Sequence, residues 1–262
     1  MKNTHGLLFA ALLAVLPLAA QADDTTIADG KWSGAGEVGF AAVRGNAKSE
    51  NLNAKLAFKM EDETWKDTFY LTALRAKGEV STPLIVNGQI SSIKTYQATA
   101  NRYEVGASAG YKFDERSYLV GAVRYENDDF SSYQYQAVVS LGYGYTVLKT
   151  ASDELSLEVG PGYKRFERKL PANAGSQGEA IGRGLVNFKH AFSANTAFVN
   201  TLLVEAGSKN TFLQNDAGLQ VDINKKLALK VGYQVRHNTD APAGTKKTDQ
   251  LMTTNLVYNF GG

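Results

Sequence analysis

The 262-residue chain has no cysteine. That excludes disulfides, thiolate metal sites and an acylated lipoprotein cysteine. Histidine is scarce, with 3 in all, and one of them, His5, stands in the N-terminal leader. Charge of one sign is lacking too: 28 Lys and Arg face 26 Asp and Glu. No basic surface for nucleic acid follows from that balance. After the leader, no stretch approaches the ~18 consecutive apolar residues of a membrane-spanning helix. A crossing by helices is therefore excluded.

The leader itself is informative. Met1 to His5 carries Lys2, Leu7 to Ala20 is apolar with Pro17 near its end, and Ala20-Gln21-Ala22 is a small-x-small cleavage site. This is the pattern of a Sec-type signal peptide, too short and wrongly flanked to span a membrane. Residues 1–22 are expected to be removed, leaving one domain over 23–262.

The pattern of that domain is clearest from Tyr133 to Val147. Odd positions read Tyr133, Tyr135, Ala137, Val139, Leu141, Tyr143, Tyr145, Val147; even positions include Gln134, Gln136, Ser140, Gly142, Gly144 and Thr146. Side chains alternate faces along a strand, so one face is apolar and the other mostly small or polar. Tyr135 to Tyr145 spans ~33 Å at ~3.3 Å per residue. Tilted by ~40°, it covers roughly 25 Å, the height of the apolar band of an outer-membrane barrel. Tyrosines at both ends suit the two membrane–water boundaries.

Alternation on one strand leaves open which face is wet, since a soluble barrel would turn the apolar side chains inward. Two further features decide. About twelve such segments follow one another, and their connections alternate in length. Glu61–Glu63, Asp114–Arg116, Lys149–Asp153, Ser193–Asn195 and Asn224–Lys226 read as short turns. Ala76–Thr95, Phe166–Gly178 and Asn238–Thr248 read as long loops on the opposite side. Short periplasmic turns and long outer loops characterise outer-membrane barrels. The second feature is charge. Lys55, Lys59, Glu104, Arg124, Glu158, Lys164, Arg183, Lys189, Glu205, Asp216, Asp222, Lys230 and Arg236 all fall on the polar face. A ring of about twelve strands is too wide to fill with a dry apolar core. These residues are the expected lumen lining. The fold class is thus all-β: a transmembrane, antiparallel, up-and-down β-barrel of about 12 strands in the outer membrane, with both termini periplasmic. Leu256, Tyr258 and Phe260 form an alternating aromatic end of the kind the barrel-assembly machinery prefers, followed here by Gly261-Gly262.

Several short motifs carry a bland and a sharp reading. Gly34-x-Gly36-x-x-Gly39 matches a dinucleotide fingerprint by letters, but it lies inside an alternating strand with no helix after it. Gly106-x-Ser108-x-Gly110 spells a nucleophile elbow, yet Ser108 sits mid-strand and His237 is on the opposite face. His190 and His237 read as interfacial polar residues rather than metal ligands. Glu126 to Ser132 reads as an acidic outer loop; a divalent ion there would bridge lipopolysaccharide, and a solvated loop is preferred. No cofactor, metal site or catalytic residue is expected.

Arg124-Tyr125-Glu126-Asn127-Asp128-Asp129-Phe130, Leu157-Glu158-Val159-Gly160-Pro161-Gly162-Tyr163, Val204-Glu205-Ala206-Gly207-Ser208, Tyr233-Gln234-Val235-Arg236-His237-Asn238 and Asn255-Leu256-Val257-Tyr258-Asn259-Phe260 carry a family likeness. Over Trp32 to Phe260 the chain resembles the YdiY-like family of salt-induced outer-membrane proteins of unknown function. The resemblance implies a barrel and an outer-membrane location in a Gram-negative cell, and no known substrate or catalytic residue.

Three roles are compatible with this pattern. The first is a porin-like narrow channel or solute-binding barrel, non-enzymatic, whose mixed-sign lining predicts weak ion selectivity. The second is a structural or osmotic-stress envelope protein with a plugged lumen, filled by pairs such as Arg124 with Glu126 or Glu158. The third, least favoured, is a membrane esterase or acyltransferase using Ser108 and His237. Expected partners are outer-membrane lipid and lipopolysaccharide, the assembly machinery and small solutes.

Overall fold

The computed structural model describes residues 32–43, 48–86, 89–169, 175–241 and 246–261. The leader lies outside the described residues. The strands are β1 (Trp32–Val43), β2 (Ser49–Glu61), β3 (Trp65–Val86), β4 (Gln89–Lys112), β5 (Ser117–Asp128) and β6 (Tyr133–Lys149). They continue as β7 (Asp153–Arg168), β8 (Ser176–Ser193), β9 (Thr196–Gly207), β10 (Thr211–Asp222), β11 (Leu227–Asn238) and β12 (Thr248–Gly261). Each pairs antiparallel with its sequence neighbours, and β1 pairs with β12 to close a twelve-stranded barrel. Closure leaves no barrel strand with an unpaired edge, which is what lets a sheet cross a bilayer.

Most strands keep period two, and the exposed apolar set lies on the outer face. Val139, Leu141, Val123, Val159, Leu219, Leu229 and Val231 are exposed in mid-barrel. Aromatic side chains flank this band. On the side of the short turns, Trp65 meets Tyr111 edge-on at 5.5 Å between ring centroids, and Tyr111 meets Phe113 at 5.8 Å. On the loop side, Tyr103, Tyr125 and Tyr135 form a row with successive centroids 6.1 Å apart. Between Tyr103 and Tyr111 the strand climbs ~26 Å, or roughly 20 Å along the normal at ~40° tilt. An exposed apolar belt between two aromatic rows is stable only in lipid, and the protein is an outer-membrane barrel.

The short turns are built from carboxylate caps. Asp62 accepts the backbone N–H groups of Trp65 at 2.6 Å and Thr64 at 2.7 Å. Asp114 accepts those of Arg116 and Ser117, both at 2.8 Å. These N–H donors hold both turn carboxyls below the usual aspartate range.

Four local expectations are corrected. First, Ala76–Thr95 is not a loop. β3 and β4 stay paired from Lys77↔Ala98 to Val86↔Gln89, past a register shift at Ala76/Lys77, and project as a two-stranded arm. The Gly, Ser, Pro and Asn content reads as loop, but mutual pairing of the two arms supplies the hydrogen bonds. Second, Glu126 and Asp128 belong to β5, not to an acidic loop. Third, Phe166–Gly178 is shorter as a connection, since β7 runs to Arg168 and β8 starts at Ser176. Fourth, Tyr133 does not face lipid. The register shifts between Tyr133 and Tyr135, and the extra residue turns Tyr133 inward, where it is 1% exposed, while Gln134 turns outward. Pro161 is accommodated because the β6–β7 ladder steps from Ser140↔Gly162 to Tyr143↔Val159, leaving Pro161 without a β6 partner.

Candidate functional site

The polar faces meet inside the barrel, and ion pairs between non-adjacent strands establish it. Arg124 of β5 donates to Glu205 of β9 through Nε at 2.9 Å and Nη2 at 2.6 Å. Its Nη1 donates to Glu126 at 3.0 Å and lies 3.5 Å from Glu104. Arg236 of β11 donates to Glu126 and, at 3.5 Å, to Asp128. β5 and β11 stand opposite each other in the ring, so these bonds cross the full lumen. Glu104 and Glu126 are direct cross-strand partners, where like charges repel. Arg124, touching both, offsets that repulsion.

Phe212 fills the centre of the cluster. It is fully buried, with the Arg124 guanidinium 4.8 Å and the Arg236 guanidinium 5.0 Å from its ring centroid. Two cations over one aromatic ring gain from its electron-rich face while the carboxylates balance their charge. Around this centre, Tyr70 donates to Glu104 at 2.7 Å, Lys164 lies 3.9 Å from Glu179, and Tyr133 donates to Asp240 at 2.8 Å. Glu126, Glu205 and Lys164 are shut away from water to 2% exposure or less. A water-filled lumen would leave them wet. The loop-side half of the barrel is therefore packed by an ionic plug.

Tyr70 reaches the plug because of Gly106, on the neighbouring strand. A Cβ on Gly106 would lie 2.4 Å from the Tyr70 ring. Ser108, next on the same face, shares a 2.7 Å hydrogen bond with Thr68. The Gly-x-Ser-x-Gly spelling thus marks a packing seat. His237 bonds Thr248 at 2.8 Å and His190 bonds Asp153 at 2.7 Å. Ser108 and His237 are not brought together.

Below the plug, toward the turns, lies a chamber of about 310 Å³. Lys55 and Lys59 of β2, Thr68 and Thr72 of β3, Arg183 and Asn187 of β8, and Asp216 of β10 line it. Arg183 donates to Glu158 at 3.0 Å, and Tyr118 donates to the same carboxylate at 3.1 Å. Lys230 donates to Glu37 at 2.9 Å. Asp216 accepts amide hydrogens from Gln214 at 2.7 Å and Gln234 at 2.5 Å. Lys189 of β8 stands close enough to Lys59 of β2, on the opposite wall, for their charges to interact. Asp222 ends β10 and accepts from Gln220 at 2.9 Å.

The predicted lining residues thus divide. Glu104, Arg124, Lys164, Glu205 and Arg236 join in the plug; Lys55, Lys59, Glu158, Arg183, Lys189, Asp216 and Lys230 lie toward the turns. Glu158 pairs with Arg183 and not with Arg124. Sequence reasoning missed Glu37, Arg102, Asp128 and Phe212, and named Glu126 only as a possible partner of Arg124. Arg102 donates to Gln234 across the lumen at 2.7 Å. Glu37 and Arg102 carry the same alternation signal as the residues named. Phe212 carries none, being an aromatic on a polar face.

A family model described as "Protein of unknown function, DUF481" matches residues 36–260. The "Uncharacterized protein YdiY" of Escherichia coli (strain K12) is 26% identical over 239 residues, covering 91% of this chain and 87% of that protein. Among solved structures, the COG4313 outer membrane channel from Pseudomonas putida F1 matches with a TM-score of 0.52 at 10% identity, over 93% of this chain and 100% of that one. The translocator domain of the autotransporter NalP from Neisseria meningitidis matches at 0.46 and 12% identity, over 90% of each chain. At 10% identity the likeness to the COG4313 channel is one of fold.

Proposed function

The chain belongs to the DUF481 family of proteins of unknown function, and for it we propose a non-enzymatic, narrow solute barrel closed on its loop side by the ionic plug. The observation that carries this reading is the chain of contacts from β5 to β11 through Glu126 and Arg236, with Phe212 packed between the two guanidiniums. The chamber beneath it supports a solute-holding role. The short turns, the start of β1 and the end of β12 share one side, which we assign to the periplasm, with the loop side toward lipopolysaccharide.

Planar-bilayer recording of the purified protein tests the proposal. The wild type is expected to stay mostly closed, with brief small openings. Arg236→Ala and Phe212→Ala remove a plug member and should give steady conductance. A wild type that is steadily open, with conductance unchanged by either substitution, contradicts the plug. Silence from wild type and both variants favours the second reading, a structural barrel. The buried pairing of Arg124 with Glu205 and of Arg236 with Glu126 supports that alternative, because a hydrogen-bonded polar network rigidifies a core.

A further inference from the structure

The plug and the chamber differ in how their charges are satisfied. In the plug, each arginine has carboxylates around it. On the turn side the ammonium groups have too few partners. Glu61 is shared by Lys66 at 3.9 Å, Lys112 at 3.4 Å and Lys149 at 3.5 Å. Glu37 is taken by Lys230 and Asn255, and Glu158 by Arg183 and Tyr118. The chamber's own carboxylates are committed too: Glu104 to Tyr70 and Arg124, Asp216 to two glutamine amides.

Lys55 and Lys59 remain. Among the described residues neither makes an ion pair within 4.0 Å; Lys55 faces Glu37 across the β1–β2 ladder, but that carboxylate bonds Lys230. Lys59 has Lys55, Lys66 and Lys189 as charged neighbours of its own sign, set against Glu154. Lys55 is half-buried and Lys59 exposed, so both ammonium groups can reach a solute, and like charges gathered in one chamber draw an anion to them. The walls beside the two lysines supply neutral hydrogen-bonding groups, with Thr68, Thr72, Ser108, Asn187 and Thr201 lining the same space.

We propose that this chamber is a binding site for a small hydroxylated anion, with Lys55 and Lys59 holding its carboxylate or phosphate and the Thr, Ser and Asn side chains meeting its hydroxyls. This rests on the solute-barrel reading and names its substrate class. At about 310 Å³ the chamber sits at the low end of small-molecule pockets, which run from ~300 Å³ upward. That room suits a single sugar acid or sugar phosphate and not a polymer. The lysines are four residues apart on one face, ~13 Å along the strand. Either ammonium can therefore take the anionic group, with the other adding to the positive charge of the wall.

Isothermal titration of the full-length, detergent-folded barrel with glucuronate, and separately with inorganic phosphate, tests the site. Wild-type protein should bind both, glucuronate more tightly because it also meets the hydroxyl and amide groups. Lys55→Gln/Lys59→Gln should weaken binding at least tenfold. Lys55→Arg/Lys59→Arg should retain it, and Lys226→Gln, in a turn, should leave it unchanged. Gel mobility before and after heating reports folding of each variant, and the Arg pair tests the charge if the Gln pair fails to fold. Absence of binding to the wild type, or equal binding by the wild type and the Gln pair, overturns the proposal. Failure here is separable from failure of the plug, which is read in bilayer conductance.

Discussion

Replacing Arg124 by methionine removes the cation that most of the plug shares. The substitution keeps an unbranched, apolar stem and deletes the guanidinium. Arg124 makes two bonds to Glu205, at 2.9 and 2.6 Å, one to Glu126 at 3.0 Å, and stands 3.5 Å from Glu104. After the change, Glu126 keeps Arg236 and Glu104 keeps Tyr70. Glu205 has no such second donor among these bonds. Its side chain is 1% exposed, so water cannot take over. A buried charge stripped of its partner costs about 3–5 kcal/mol. Because the charge of Lys164 stays beside Glu205, Arg124→Met should destabilise the barrel toward the lower end of that range. Glu205→Met alone should cost less, because Arg124 retains two carboxylates. The double variant Arg124→Met/Glu205→Met should recover most of the loss, since an apolar pair can replace a buried ion pair with little penalty. The coupling in the cycle should reach ~2 kcal/mol or more. Equilibrium urea unfolding in phospholipid vesicles, followed by the fluorescence of Trp32 and Trp65, measures all four proteins. An Arg124→Met cost below about 1 kcal/mol, or simple additivity of the single changes, refutes the reasoning.

Two further outcomes follow from other parts of the barrel. Leu141 is exposed in the middle of the apolar belt, and Leu141→Lys should cost ~2–4 kcal/mol in the same unfolding assay. Lysine at Gln134, near the loop-side boundary, should cost ~0–1 kcal/mol. The turn carboxyls Asp62 and Asp114 titrate below their unfolded value because backbone N–H groups bond the charged form. Their contribution is complete above the unfolded aspartate pKa of ~3.9 and is lost as pH falls through the folded values. Stability should thus drop below about pH 4, and Asp62→Asn/Asp114→Asn should flatten that drop; a pH profile of the urea midpoint reads both.

Much of the barrel is legible because period two survives in nearly every strand. Alternation separates Leu229, Val231 and Tyr233 from Lys230 and Gln234 without any structure, and it places the charged set inside. It fails where the period slips. The bulge before Tyr135 sends Tyr133 inward against its apparent parity, and no composition signal marks that extra residue. It also fails where composition and pairing disagree, as in the β3–β4 arm, whose turn-rich sequence is held by its own ladder. Glu126 reads as loop because acidic and Asn residues surround it, yet Arg124 and Arg236 hold it in the strand. The candidate site is less legible still. Alternation says that Arg124 faces inward, but its partner Glu205 lies 81 positions away on a non-adjacent strand. Which inward charges meet depends on the stagger of the closed ring, which sequence period does not encode.

Because the chain has no cysteine, a single introduced thiol reports access to the lumen unambiguously. Thr72 lines the chamber beneath the plug, on the wall that also carries Lys55 and Lys59 across the β2–β3 ladder. A membrane-impermeant thiol reagent added to intact cells should fail to label Thr72→Cys in the wild-type background, while labelling it after denaturation. Combined with Arg236→Ala or Phe212→Ala, the same thiol should become reactive from outside. Rapid outside labelling of Thr72→Cys with the plug intact would contradict the closed loop side on which the account rests.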